Sequence, residues 1–171
     1  MFFIHFKLLI NIFIGKNPMN ELNIQEIELL RLLQKNSKFD ISDLTDRLNM
    51  SRTSVYDKIK KLENEGYIKN YVAILDQRKM GLKFTVIVNV SLNSQRIEYV
   101  DEFLEKISNL NEVMDVYVTG GIFDVVLKVV TKDPDAFNDF VTTKLSAIPH
   151  ISKIQSSFVM RHIKQVTALP F

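Results

Sequence analysis

The stretch LNMSRTSVYDKIKKLENEG, residues 48–66, decides how the first half of the chain is read. Ser51 can accept from the free N–H groups that open a helix and Gly66 stops it, so the spacing predicts a helix from Ser51 to about Glu65. Val55, Ile59 and Leu62 then fall in one narrow stripe that must be hidden against other helices. With that stripe inward, Thr53, Asp57 and Lys60 lie near the far side. Ser54, Tyr56 and Lys61 flank them, and Arg52 stands at the exposed amino-terminal rim. Between residues 51 and 61 the basic residues Arg52, Lys58, Lys60 and Lys61 meet only Asp57, a local charge of +3. Asn49 tolerates a left-handed backbone better than most non-glycine residues, so Asn49-Met50 can turn tightly with Met50 pointing inward.

Two more helices precede it. Asn23 can cap one whose apolar residues Ile24, Ile27, Leu30 and Leu33 follow helical spacing. Asp40 and Asp43 suit the positive end of another, with Ile41, Leu44 and Leu48 on its inner side. Two short helices joined by a tight turn, the second showing hydroxyl and basic groups outward, fit what a DNA major groove admits. The competing reading is a solvated helix in a small bundle.

Beyond Gly66, residues 67–75 form a β-prone run that predicts a linking strand, and 76–83, holding Gly81, a linker. Phe84, Val86, Val88, Val90 and Leu92 alternate with more polar residues, which predicts a strand with one apolar face. A helix follows with Ile97, Val100, Phe103, Leu104 and Ile107 on one side. Residues 113–119 and 123–130 predict a hairpin across Gly120-Gly121. Asp133-Pro134 opens a helix that buries Phe137, Phe140, Val141, Leu145 and Ile148. Residues 151–160 predict the fourth strand, with 161–167 a candidate further one. The order βαββαβ is that of a ferredoxin-like sandwich in an α+β chain. Helices cover one face of such a sheet, so the other is expected to meet a two-fold partner sheet in an obligate homodimer.

Composition sets the exclusions. The 171 residues are 46% hydrophobic and 25% charged, an ordinary globular balance. With no Cys, the sequence offers no disulfide scaffold, thiolate zinc site or cysteine nucleophile. His5, His150 and His162 are too scattered for an imidazole cluster, so no metal and no cofactor is expected. The net charge of +2 sits in residues 1–18, an apolar leader shorter than the ~20 residues of a membrane span. Met19 follows directly, and it is either the true start or preceded by a packing arm or weak membrane anchor. There is no P-loop, GxSxG, HExxH or GxGxxG, so no catalytic residue is assigned.

This arrangement resembles the Lrp/AsnC, or feast-famine, family of prokaryotic transcription factors. The resemblance runs from about Leu22 to Phe171 and rests on Leu48-Asn49-Met50-Ser51, Ile59-Lys60-Lys61-Leu62-Glu63-Asn64-Glu65-Gly66-Tyr67-Ile68, Gly121-Ile122-Phe123-Asp124, Ser156-Ser157-Phe158-Val159-Met160 and Thr167-Ala168-Leu169-Pro170. It implies a winged-type helix-turn-helix domain at 19–66, a linking strand and linker at 67–83, and a RAM-type dimerisation and effector-binding domain at 84–171. Implied partners are double-stranded DNA, a second copy in a dimer, octamer or other higher assembly, and an amino-acid effector, in the cytoplasm with no membrane partner. Ser51, Arg52, Thr53, Ser54, Tyr56, Asp57, Lys60 and Lys61 become the candidate DNA contacts. Lys60 and Lys61 suit phosphate; Arg52, Thr53 and Tyr56 suit base edges. The family's effector pocket maps onto Gly120, Gly121, Phe123, Asp124, Ser156 and Ser157.

At Ile122 many relatives carry an acid, which leaves Asp124 to meet an α-ammonium group. Alternatively Gly120-Gly121 merely closes the hairpin and Asp124 serves nearby backbone N–H groups. Two other functions stay open. One is a sirohaem-decarboxylase-like enzyme, which needs His or basic residues gathered in a cavity; the other is an architectural DNA-wrapping protein.

Overall fold

The computed structural model describes residues 21–171, so the leader 1–18 and Met19 lie outside the described residues. Two compact units are present: one of residues up to Ala73 joined by Gln165–Phe171, the other Ile74–Lys164. The tail from Gln165, placed by the sequence with the carboxy-terminal domain, thus groups with the helical unit.

The first unit holds α1 (Ile24–Leu33), α2 (Ile41–Leu48) and α3 (Arg52–Asn64). Leu29, Leu44, Leu48, Val55 and Leu62 form its core, with Met50 and Ile59 packed on it. Asn49 adopts the left-handed conformation, φ 50° and ψ 53°, which lets α3 turn sharply away from α2. On α1 the expected stripe is rotated. Ile24 is 85% exposed, while Glu26 and Leu29 point inward. The cause is a capping box: Glu26 N–H donates to Asn23 Oδ1 and Asn23 N–H to Glu26 Oε2, both at 2.9 Å.

Residues 67–75 form no strand, contrary to expectation. High β-propensity makes a strand only where the segment pairs with a neighbour, and among the described residues it pairs with none. Instead Tyr71 Oη donates to Glu63 Oε1 on α3 at 2.9 Å. Burial and that carboxylate push the phenol up to about 12. Residues 161–167 are likewise not a strand. Further on, Gln34, which caps the end of α1, brackets Leu169, donating to its carbonyl at 3.2 Å and accepting from its N–H at 2.8 Å, while Arg31 Nε donates to the Phe171 carbonyl at 2.9 Å.

The second unit contains β1 (Phe84–Leu92), α4 (Ile97–Ser108), β2 (Val113–Val118), β3 (Val125–Thr131), α5 (Pro134–Asp139) and β4 (Ile151–Phe158). The antiparallel sheet has the order β2-β3-β1-β4. Val86, Val88 and Val90, with Val125, Leu127 and Val129, bury one face against Phe103, Ile107, Phe137, Phe140 and Leu145. Asp133 Oδ1 accepts from Ala136 N–H at 2.8 Å and starts α5 as expected. After Asp139 the helix widens into a π-turn, Phe140–Lys144, where Thr142 and Thr143 hydroxyls bond back to the carbonyls of Asn138 and Asp139.

Paired residues share a face, so the uncovered face presents Ile87, Asn89 and Ser91 of β1, Val126 and Lys128 of β3, and Tyr117 of β2. It is mixed rather than apolar. Thr85 at one end is buried, its hydroxyl accepting from Gln77 Nε2 at 3.0 Å in the turn that precedes β1.

Candidate nucleic-acid interface

Burial of Val55 and Leu62 fixes which side of α3 looks outward. Arg52, Thr53, Tyr56, Asp57 and Lys60 are all exposed and, among the described residues, none makes a side-chain hydrogen bond or ion pair within the chain. They form a continuous outward strip of one guanidinium, one ammonium, two hydroxyls and a carboxylate. These are the groups that meet phosphates and base edges in a major groove.

Three other candidates already have work inside the protein. Ser51 Oγ accepts from Ser54 N–H at 3.2 Å and donates to Ser54 Oγ at 3.0 Å, so Ser51 is the helix cap and Ser54 keeps its hydroxyl proton for an outside acceptor. Lys61 Nζ donates to Glu26 Oε1 at 2.9 Å, and Lys58 Nζ stands 3.9 Å from the same oxygen. Burial works to raise the Glu26 carboxyl, but the Asn23 N–H, the Lys61 hydrogen bond and the charges of Lys61 and Lys58 together hold it below its ordinary value of 4.5. A depressed carboxyl stabilises the fold above its unfolded value and loses that contribution as pH falls through its folded one. The melting temperature of the first unit, followed by helical circular dichroism, is therefore expected to fall as pH drops below 4.5. Glu26→Gln is expected to flatten that fall, and an unchanged profile would contradict the role. Sequence reasoning missed Glu26, although Asn23 and Glu26 carry the spacing of a capping box.

The candidate effector residues are not gathered by one chain. Asp124 accepts from Leu92 N–H at 2.8 Å and from Gln95 Nε2 at 3.1 Å, and its own N–H donates to the Val90 carbonyl. That is the backbone-serving arrangement. Phe123 lies under Lys153, whose Nζ stands 5.9 Å from the ring centroid, and Ile122 is 93% exposed. A Cβ on Gly120 or Gly121 would meet only open space, so none of the described residues requires glycine at either position. Ser156 pairs with Val88 on the helix-covered face and lines a pocket of about 270 Å³ with Phe84, Phe137, Asn138 and Phe158. Ser157 pairs with Ile87 on the opposite face. The two serines cannot address one site from the same strand.

The histidines that the enzyme alternative needs are not drawn together. His150 stacks on Tyr99 with centroids 3.9 Å apart and bonds Glu102 at 3.0 Å, whereas His162 is exposed. Among the described residues no group of three or more His, Cys, Asp or Glu could hold a metal ion, and no helix is long and apolar enough to cross a membrane.

Residues 22–69 match the family model of winged helix-turn-helix DNA-binding domains, and residues 85–169 that of the Lrp/AsnC ligand binding domain. The chain is 32% identical to the Bkd operon transcriptional regulator of Pseudomonas aeruginosa, across 89% of this chain and 99% of that protein. The chain belongs to the Lrp/AsnC family. Among solved structures it resembles an AsnC family transcriptional regulator from Agrobacterium tumefaciens, at 34% identity and TM-score 0.83, over 87% of this chain and 97% of that one. A transcriptional regulator from Neisseria meningitidis, solved in complex with L-Met, matches at 28% identity and TM-score 0.83, over 87% and 96% of the two chains. As a member of the Lrp/AsnC family it is a DNA-binding transcriptional regulator, with a helix-turn-helix unit followed by a four-stranded antiparallel sheet domain.

Proposed function

We propose that this regulator reads a specific operator with the outward strip of α3, as a cytoplasmic dimer or higher assembly joined through its sheet domain, and that an amino acid modulates it. The observation carrying the DNA reading is the set of five polar side chains, Arg52, Thr53, Tyr56, Asp57 and Lys60, unpartnered among the described residues, on a helix whose other side is core. Arg52, Thr53 and Tyr56, near the amino-terminal end of α3, suit base edges, and Lys60 suits a phosphate.

The dimer reading rests on the uncovered sheet face, where Ile87, Val126 and Tyr117 give an apolar centre among Asn89, Ser91 and Lys128. Effector binding is assigned to the hairpin with Gly120, Gly121, Phe123 and Asp124. A glycine pair with open space around it suits close approach by another molecule. Asp124 Oδ1, held only by the exposed Gln95 amide, can exchange that partner for an α-ammonium group. The L-Met complex of the Neisseria relative favours an amino acid.

Footprinting on the chain's own upstream DNA, with and without a panel of amino acids, tests both parts. Protection of a discrete site that shifts with one amino acid is expected; uniform coverage at every concentration would favour an architectural protein. Lys60→Ala is expected to weaken binding to all sequences alike and to reduce the slope of log K against log salt by about 0.9. Weakening confined to one operator base, measured by fluorescence anisotropy, would contradict the phosphate role.

A further inference from the structure

We propose that Glu26 is a positioning residue for DNA binding. It withdraws Lys61 from the duplex and pins the rotation of α3, so that Lys60 is the phosphate-directed lysine of this helix. The inference rests on the reading of α3 as the DNA-facing helix and goes beyond it.

Glu26 sits on α1 and is 2% exposed, while both lysines that reach it belong to α3. Both carboxylate oxygens are used: Oε2 by the Asn23 N–H, Oε1 by Lys61 with Lys58 close behind. A carboxylate buried this far is tolerated only while its partners stay in place. Swinging Lys61 out to a phosphate would remove its closest cation and leave it poorly compensated. Of the four basic residues between 51 and 61, two are thus committed to an internal acid, and the charge offered outward is that of Arg52 and Lys60 beside Asp57.

The same contact sets geometry. Lys58 and Lys61 are one helical turn apart on the same side of α3, so holding both toward one fixed oxygen resists rotation of the helix about its axis. A rotation by one residue, ~100°, would carry Arg52, Thr53 and Tyr56 away from any shared base step.

The test compares salt slopes and affinities for the operator and for a random-sequence duplex of equal length. Lys61→Met, which keeps the stem and removes the charge, is expected to leave the slope unchanged, whereas Lys60→Met lowers it by about 0.9. Glu26→Gln is expected to release Lys61 alone, since the Lys58 side chain is mostly buried, raising the slope by about 0.9 and strengthening binding to the random duplex while the operator preference narrows. The double variant Glu26→Gln with Lys61→Met should return the slope to that of the parent. Equal loss of slope in Lys61→Met and Lys60→Met would overturn the proposal, as would a Glu26→Gln chain with unchanged slope and preference.

A second measurement uses the unaltered chain and does not depend on variants folding. Reductive methylation should modify Lys60 faster than Lys61 in the free protein, with added duplex protecting Lys60 alone. Protection of Lys61 by duplex would overturn the proposal. If the unaltered chain binds duplex with no salt dependence, the DNA reading of α3 fails instead, and the two failures are told apart.

Discussion

Leu62→Ala is expected to abolish DNA binding without dissolving the assembly. Leu62 is fully buried on α3 beside Val55 and against Leu29, Leu44 and Leu48, and among the described residues those five side chains are the buried core of the helical unit. Truncating a buried leucine costs about 2–5 kcal/mol, the lost transfer term plus the cavity left behind. A core this small supplies only ~3–5 kcal/mol of net stability, so the loss consumes most of it. The sheet domain has its own core and does not share the damage. Helical circular dichroism should show loss of the first unit's transition, anisotropy should show no operator binding, and light scattering should still return the parent mass. Retention of operator affinity within twofold would mean that α3 is held by something other than this core.

Phe103→Ala is expected to do the opposite damage. Phe103 lies in the middle of α4, fully buried against the valines of β1 and β3, and is the largest fully buried side chain of the sheet domain together with Phe140. Its removal costs about 3–5 kcal/mol. Urea unfolding followed by tyrosine fluorescence should shift to lower midpoint for the sheet domain, and the assembly should fall apart to smaller species. Operator affinity should fall with it, since one helix-turn-helix unit alone loses the second half-site. A variant that keeps its mass and its operator affinity would show that assembly does not run through this domain.

Much of this was legible in the sequence because the deciding features are local. Val55, Ile59 and Leu62 repeat at helical spacing, Asn49 is among the few residue types at ease with positive φ, and Phe84 to Leu92 alternates cleanly, so α3, its turn and β1 stand where the pattern put them. What failed depended on partners. Ile24 fits an apolar stripe by spacing, but the capping box with Asn23 turns Glu26 inward, and its burial is sustained by Lys61, 35 residues further on. Residues 67–75 have the composition of a strand but pair with no strand among the described residues. Ser156 and Ser157 are a different case, since adjacent residues of a strand point to opposite faces, and that period alone separates them. The docking of Leu169 on the Gln34 side-chain amide has no sequence signal, because Leu169 takes part through its backbone groups.

The most direct measurement of the account is the ratio of affinities for the chain's upstream duplex and a scrambled duplex, taken at one salt concentration. It is compared between the parent and a chain with Arg52, Thr53 and Tyr56 all replaced by alanine. The parent ratio should be about 10³ or more and should collapse toward one in the variant, while the melting temperature holds and binding to scrambled DNA falls only by the share of the one cation lost with Arg52. A variant that keeps the parent's ratio would contradict the claim that the outward strip of α3 reads the operator.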